Sequence, residues 1–381
     1  MALIHIPLEA YHLFLQPILN LLLHNTCVDE DGVKFEPSRP WQFWHPFANV
    51  SITPNECSIV CPRQQAEDLF RPVIRSLDAA MRKSVSISHE DYSVVVIAGE
   101  GLEAGQRVLD LTGPLALAGI SIFFITSYYT DFILVPFAAR SRVIHALEDR
   151  GFVFEAVANG EAGHMANPAS PLLQSRHRNG SSSSSSFDFP NMATTPPPTT
   201  VSELQTKTFR LLQKHSVQPQ VDADVELVTC AGIKDSTISS SNFSFSEGKL
   251  QLGIAKLLSL SPTPKFFSLT LTDSESASLT LEKHLTSHFH NDGEDLLLGK
   301  DGPEQVLITF DLKHLPLEST GIVCGVASRL YDGIKGRIGH ELFNMSYLST
   351  ARAGHVIVYG DELADATEAL KGATENGAGE H

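Results

Sequence analysis

The sequence has no block of Lys or Arg long enough to follow a phosphate backbone, and its formal net charge is −16. Nucleic acid and anionic membrane surfaces are therefore not expected partners. It also lacks an unbroken apolar run of membrane-spanning length. The nearest approach, MALIHIPLEAYHLFLQPILNLLL, is interrupted by Pro7, Glu9 and Pro17. With no basic n-region and no small-residue cleavage site, this run is expected to be neither a signal peptide nor a membrane span. Alternation in ALIHI and helical spacing in YHLFLQPILNLLL suit a strand and a helix of a domain core instead.

Cysteine is scarce. Cys27, Cys57, Cys61, Cys230 and Cys324 are too few and too scattered for a disulfide frame. An odd count without a signal points to reduced, mostly buried thiols and a cytoplasmic location. Cys57 and Cys61 share one face of an expected strand, where core packing is the better reading than a metal. Catalytic signatures are missing as well: no G-x-S-x-G, H-E-x-x-H or Cys–His constellation occurs, and no enzyme is expected. GEGLEAG at 99–105 lacks the Lys-Ser/Thr ending and three-glycine spacing of a phosphate loop, and reads as a strand-to-helix connection. His284, His288 and His290 in HLTSHFH have an i, i+4 spacing that would suit a metal. No second ligand cluster lies near them in sequence, so a solvated helix end or loop is expected, with no metal and no cofactor.

What is present is an ordinary globular chain, 42% hydrophobic over 381 residues, long enough for two or three domains. Its clearest boundary is a stretch holding SSSSSS at 181–186 and TTPPPTT at 194–200, with hardly any periodic apolar residues. Such a composition cannot bury enough surface to offset chain entropy, so a disordered linker is expected, bounded at 159–204.

The half before it closes with a legible order. YSVVVIAG (92–99) is a buried strand and GQRVLDLTGPLALAG (105–119) a helix ending at Gly119. ISIFFITS (120–127) and DFILVPF (131–137) are strands meeting at a tight turn. ARSRVIHALEDRG (139–151) puts Val143, Ile144 and Leu147 on one helix face, and FVFE is a last strand. The sequence is β-α-β-β-α-β, the ferredoxin-like unit. The second half ends alike. EQVLITFDL (304–312) is a strand and STGIVCGVASRLYDGI (319–334) a helix with Ser319 or Thr320 as N-cap. FNMSYLST (343–350) and HVIVYG (355–360) are paired strands, and DELADATEALKG (361–372) is an amphipathic helix.

A shift of 223 positions, 121 to 344, superposes the two endings: Thr126 falls on Ser349, Ser127 on Thr350 and Asp131 on Gly354. The earlier parts of the halves correspond more loosely. A helix at 10–23 leads to WQFWHPFANVSI and CSIVCP, and EGKLQLGIAKLLSL leads to KFFSLTLT and SASLTLEK. The fold class expected is α+β, four tandem ferredoxin-like units in two pairs: 1–75, 76–158, 205–295 and 296–373, with a flexible tail at 374–381.

TDFILV after a TSYY turn, preceded by GPLALAGISIF, resembles the second ACT domain of the CASTOR proteins. GIVCGVASRL and YLSTARAGHVIV are similar to their fourth ACT domain, and KFFSLTLTDSESASLTL to the core of the third. The likeness spans most of both halves and omits the linker. It implies a non-catalytic, cytosolic amino-acid sensor that acts through protein partners upstream of the TOR complex. Arginine or another amino acid would bind between the second and fourth units. Carried over by position, Ser121 and Ile122 would touch the ligand, and Glu318, Ser319, Thr320, Gly321, Ile322 and Val323 would form the facing wall. The N–H groups at the start of the 319–334 helix would suit a ligand carboxylate. Gly354 stands where the arginine sensor carries an Asp, and loss of that charge-assisted hydrogen bond is worth about 1.5–3 kcal/mol, roughly ten- to hundredfold in affinity. Glu318 is the acid that would compensate.

The resemblance also maps a surface for a GATOR-like partner onto Tyr128, Tyr129 and Asp131, although tyrosines at a strand corner equally serve to cover a core edge. The glycine-rich 331–342 stretch is longer than in the family and reads as a lid, a partner contact or a lengthened surface loop. A homodimer stays open. Beside the sensor stand two other readings: a ligand-free interaction protein of the same fold, and a regulatory subunit of an amino-acid biosynthetic enzyme.

Overall fold

Among the described residues, five strands are buried at every position, including Ala2–Ile6, Ala48–Ile52 and Cys57–Cys61. Successive side chains of a strand point to opposite faces, so such strands need cover on both sides. In this computed structural model one face meets helices and the other meets more sheet. The structure describes residues 1–23, 27–28, 34–35, 47–98, 104–155, 164–166, 198–233, 245–273, 275–291, 294–335 and 344–371. The 99–103 loop, residues 167–197 of the expected linker, residues 336–342 of the glycine-rich stretch and the 374–381 tail lie outside them.

The first segment runs β1 (Ala2–Ile6), α1 (Leu15–Leu23), β2 (Ala48–Ile52), β3 (Cys57–Cys61), α2 (Arg71–Ser76) and β4 (Ser86–Ile87), with strand order β2-β3-β1-β4. The second runs β5 (Tyr92–Ala98), α3 (Ala104–Leu117), β6 (Phe123–Thr126), β7 (Asp131–Pro136), α4 (Arg140–Glu148), β8 (Val153–Glu155) and β9 (His164–Ala166). Its order is β8-β9-β5-β7-β6, with β9 inserted parallel to β5. After α5 (Val201–Lys214) come β10 (Gln220–Gly232), α6 (Phe245–Leu258), β11 (Phe267–Leu271), β12 (Ser278–Glu282) and β13 (Leu297–Leu298), ordered β13-β10-β12-β11. The last segment is β14 (Gln305–Asp311), α7 (Ile322–Lys335), β15 (Met345–Ser349), β16 (Ala353–Tyr359) and α8 (Leu363–Lys371). Beside β14 stands the start of β10, with Gln220 opposite Thr309 and Val221 opposite Ile308.

The segments join edge to edge through their second strands. β6 meets β15 with Ile125 opposite Leu348, and β2 meets β11 with Ile52 opposite Phe267. The second segment is therefore the neighbour of the fourth, and the first of the third. One apolar core fills between the first and third segments and their helices, another between the second and fourth and theirs. A third core, with Leu3, Phe132, Leu227 and Leu348, draws on all four and lies where the sheets face each other. The main strands form one continuous sheet that curls so that its two halves face each other, with helices on the outer sides.

Two boundaries differ from expectation. The expected linker reaches 204, but α5 begins at Val201, its N-terminus capped by the Thr200 hydroxyl accepting from the Glu203 N–H; His164–Ala166, also within the expected linker, is a strand. Neither Ser319 nor Thr320 caps α7. The first intrahelical bond runs from the Gly325 N–H to the Gly321 carbonyl, so Gly321 takes the cap position at φ 83°. That conformation costs an L side chain and not glycine. No helix among the described residues is long and apolar enough to cross a membrane.

Candidate functional site between the second and fourth segments

The junction of β6 with β15 repeats its hydrogen bonds under the 223-residue shift. The Tyr347 N–H donates to Thr126 Oγ1 at 3.0 Å, and the Phe124 N–H donates to Ser349 Oγ at 2.9 Å. The two corners close alike, with Ser127 N–H to the Thr130 carbonyl and Thr350 N–H to the Ala353 carbonyl, both at 2.9 Å. Sequence equivalence and structural equivalence coincide here, which makes the differences informative.

At the first corner Asp131 is buried and takes the Nε–H of Arg107 as an ion pair, with the Thr126 hydroxyl as a further partner. Burial pushes its carboxyl above the usual range, against the pull of Arg107. At the second corner Gly354 carries no side chain, and the Tyr347 hydroxyl stands 2.5 Å from where a Cβ would lie. Tyr347 is the equivalent of Phe124. One corner pairs Phe with Asp, the other Tyr with Gly, and the phenol fills the volume that the acid has lost.

Beside the second corner lies a cavity of about 60 Å³. Thr112 and Ala116 of α3, with Ile120, Ile122 and Phe123 at the approach to β6, form one wall. Ser319 and Gly321–Cys324 form another, and Tyr347 with Ser349–Gly354 closes the third. Of the residues expected to hold a ligand, Ile122, Ser319, Gly321, Ile322, Val323 and Gly354 line it. Ser121, Glu318 and Thr320 are not among its lining residues, and Glu318 is exposed. Burial, and then the charges of Glu90 and Glu318, push the Tyr92 phenol up. Sequence reasoning missed Thr112, Tyr347, Thr350 and Arg352. The shift that relates Asp131 to Gly354 also relates Phe124 to Tyr347, and that pairing was the available signal.

The wall from α7 is backed by α5. A Cβ on Gly321 would meet Leu204 at 2.7 Å, and one on Gly325 would meet Thr208 at 2.6 Å, so the two glycines let the helices approach closely. The Thr208 hydroxyl donates to the Gly321 carbonyl at 3.1 Å. Cys324 is buried with Ala116 and Leu204, and burial pushes its thiol up to about 11.

The outer side of each corner is held by the opposite sheet. Glu56 Oε1 accepts from the Arg352 N–H at 2.6 Å and Ser58 Oγ from the Ala351 N–H at 3.2 Å. On the sister corner Ser278 Oγ accepts from the Tyr128 N–H at 2.8 Å, and the Thr130 hydroxyl donates to Glu275. The residues expected to form a partner surface differ in exposure. Asp131 is only 1% exposed, and Tyr128 is half-buried against Gly299; only Tyr129, 47% exposed and edge-on to Tyr128, faces solvent. Of the three histidines considered for a metal, His290 pairs with Asp295 and His284 is exposed; no group of three metal-binding side chains occurs among the described residues.

Residues 87–149, from β5 through α4, match the family model of the ACT domain. The chain contains an ACT domain. No curated protein sequence matches the chain. A Vibrio cholerae protein described as of unknown function resembles part of it, at 18% identity and TM-score 0.26 over 44% of this chain and 95% of that one. Aspartate kinase from Synechocystis matches at 11% identity and TM-score 0.28, over 97% of this chain and 53% of that one. The ACT domain supplies Thr112, Ala116, Ile120, Ile122 and Phe123 to the cavity, and the last segment supplies the rest.

Proposed function

We propose that the chain is a non-catalytic regulatory protein of four ACT-type units that binds a free amino acid in the cavity between the second and fourth. The observation that carries this reading is the cavity's position, at the edge where the ACT domain at 87–149 meets a segment with equivalent corner bonding. The matching strand orders of the four segments support the unit count. The resemblance to CASTOR proteins supports the finer reading, in which occupancy changes affinity for a GATOR-like complex in cytoplasmic TOR signalling.

A thermal-shift screen of the full chain against the twenty amino acids tests it. Millimolar ligand at a micromolar Kd stabilises by about 4 kcal/mol. Absence of a shift with every one of them overturns the sensor reading. A second reading, a ligand-free interaction protein, is favoured by the cavity's 60 Å³, well below the roughly 300–1,000 Å³ of ordinary ligand pockets. Affinity capture that recovers a biosynthetic enzyme instead of a signalling complex would favour a regulatory subunit.

A further inference from the structure

We infer that the cavity selects a compact amino acid without a cationic side chain, and that Tyr347 and Gly354 set that selectivity. The inference rests on the amino-acid-binding reading above and gives the ligand its chemical class.

The chain contains its own control. At the sister corner an acid stands at the position of Gly354, and the group it takes is a guanidinium, that of Arg107. That geometry, with an Asp and a Phe, is suited to a guanidinium. At the cavity the acid is replaced by hydrogen, and the Tyr347 ring and hydroxyl fill the space, 2.5 Å from the Cβ that a side chain at 354 would need. A phenol here is a neutral group: Tyr347 is fully buried, and burial raises its pKa further.

Charge points the same way. Among the lining residues there is no Asp or Glu, and the one charged side chain is Arg352. A lysine or arginine ligand would bring a second cation beside Arg352 in a partly desolvated space, where like charges disfavour each other. A carboxylate is favoured by that cation and by the Ser319 hydroxyl. Size adds a limit. At about 60 Å³ the cavity is well under half the ~150 Å³ in which an engineered apolar cavity binds benzene. A long side chain does not fit without displacing the Tyr347 ring.

The experiment is the thermal-shift panel on the full chain, followed by calorimetric Kd values for the ligands that respond. The expected result is stabilisation by glycine, alanine, serine or aspartate and none by arginine or lysine. The double variant Tyr347→Phe/Gly354→Asp, which copies the Phe124–Asp131 corner, should then move the arginine-to-alanine affinity ratio toward arginine by roughly ten- to hundredfold. Wild-type protein that responds to arginine or lysine as strongly as to the small amino acids overturns the selectivity and leaves amino-acid binding standing. Wild-type protein that responds to none of the twenty overturns both. The wild-type panel decides the inference even if the double variant does not fold. A folded double variant with an unchanged ratio removes Tyr347 and Gly354 as its determinants.

Discussion

The backbone N–H of Arg352 donates to the buried carboxylate of Glu56 at 2.6 Å, across 296 positions of sequence. The other oxygen of Glu56 is taken by His5 Nδ1, so the carboxylate ties β1 and the β2–β3 turn to the corner that closes the cavity. Its partners are a part-buried backbone N–H and a buried imidazole.

Glu56→Ala should therefore lower unfolding free energy by about 3 kcal/mol, because it strands a part-buried N–H and a buried imidazole together. Glu56→Gln, which keeps one acceptor oxygen, should lose less than half of that. Urea unfolding of the two variants checks the order. A loss within about 0.5 kcal/mol for Glu56→Ala would show that the corner is held by its own turn alone.

The seam between α5 and α7 gives a second prediction. Gly325→Leu drives a side chain into Thr208 and should cost about 1–3 kcal/mol by overpacking. Because Cys324 is covered by Leu204 of α5, the same variant should speed its alkylation while Cys57, in the opposite core, stays protected. Site-resolved mass spectrometry after timed iodoacetamide exposure reads both. Equal rates at Cys324 in the two proteins would mean that α5 accommodates the leucine in place.

His355 sets a pH dependence. It is fully buried on β16, with Thr309 Oγ1 at 3.0 Å and the Phe266 ring edge-on, and burial lowers its pKa to about 3. The folded state thus favours the neutral imidazole. Its contribution is intact above the unfolded pKa of about 6.5 and is lost progressively as pH falls from there toward 3. The pair His355→Leu/Thr309→Val removes the titrating group with its partner. Its stability should fall less steeply over that window than the wild type, measured by denaturant midpoints at several pH values. Parallel slopes would assign the acid sensitivity elsewhere.

Arg107→Met leaves the Asp131 carboxylate buried without its main counter-charge, at a cost of about 3–5 kcal/mol. Since burial raises this carboxyl's folded pKa above its unfolded value, protonation favours the folded state. The deficit should be full at neutral pH and shrink on acidification through the raised pKa. Combining Arg107→Met with Asp131→Leu should restore most of the loss. A double-mutant cycle showing simple additivity would deny the pairing.

Much of this architecture was readable because its signals are local. Alternating and continuous apolar runs mark the strands, and Gly119 marks a helix end. The 223-residue shift located the two corners and, through them, much of the cavity wall. α5 was hidden by its flank: the Ser/Pro-rich composition before it ends only at Thr200, although Thr200 and Glu203 carry an N-cap signature. The Gly321 cap was hidden because it depends on Leu204, more than a hundred residues away, standing where a Cβ would be. Burial of Asp131 was hidden for a similar reason. Its partner Arg107 sits on the helix α3, and no spacing rule marks that pairing.

The strand β10 belongs to two units at once. Its last residues pair with β12 and β13, while Gln220–Asp222 and, after a register shift, Glu226 and Leu227 lie along β14. The fourth segment is thus finished by residues from well before it in the sequence. A fragment beginning at β14 would present a bare strand edge, and one ending at β13 would carry a strand end with no neighbour. Any nick between Gly232 and Gln305 leaves both products clasped, so separating the fourth segment from the rest requires peeling a sheet open rather than cutting a tether.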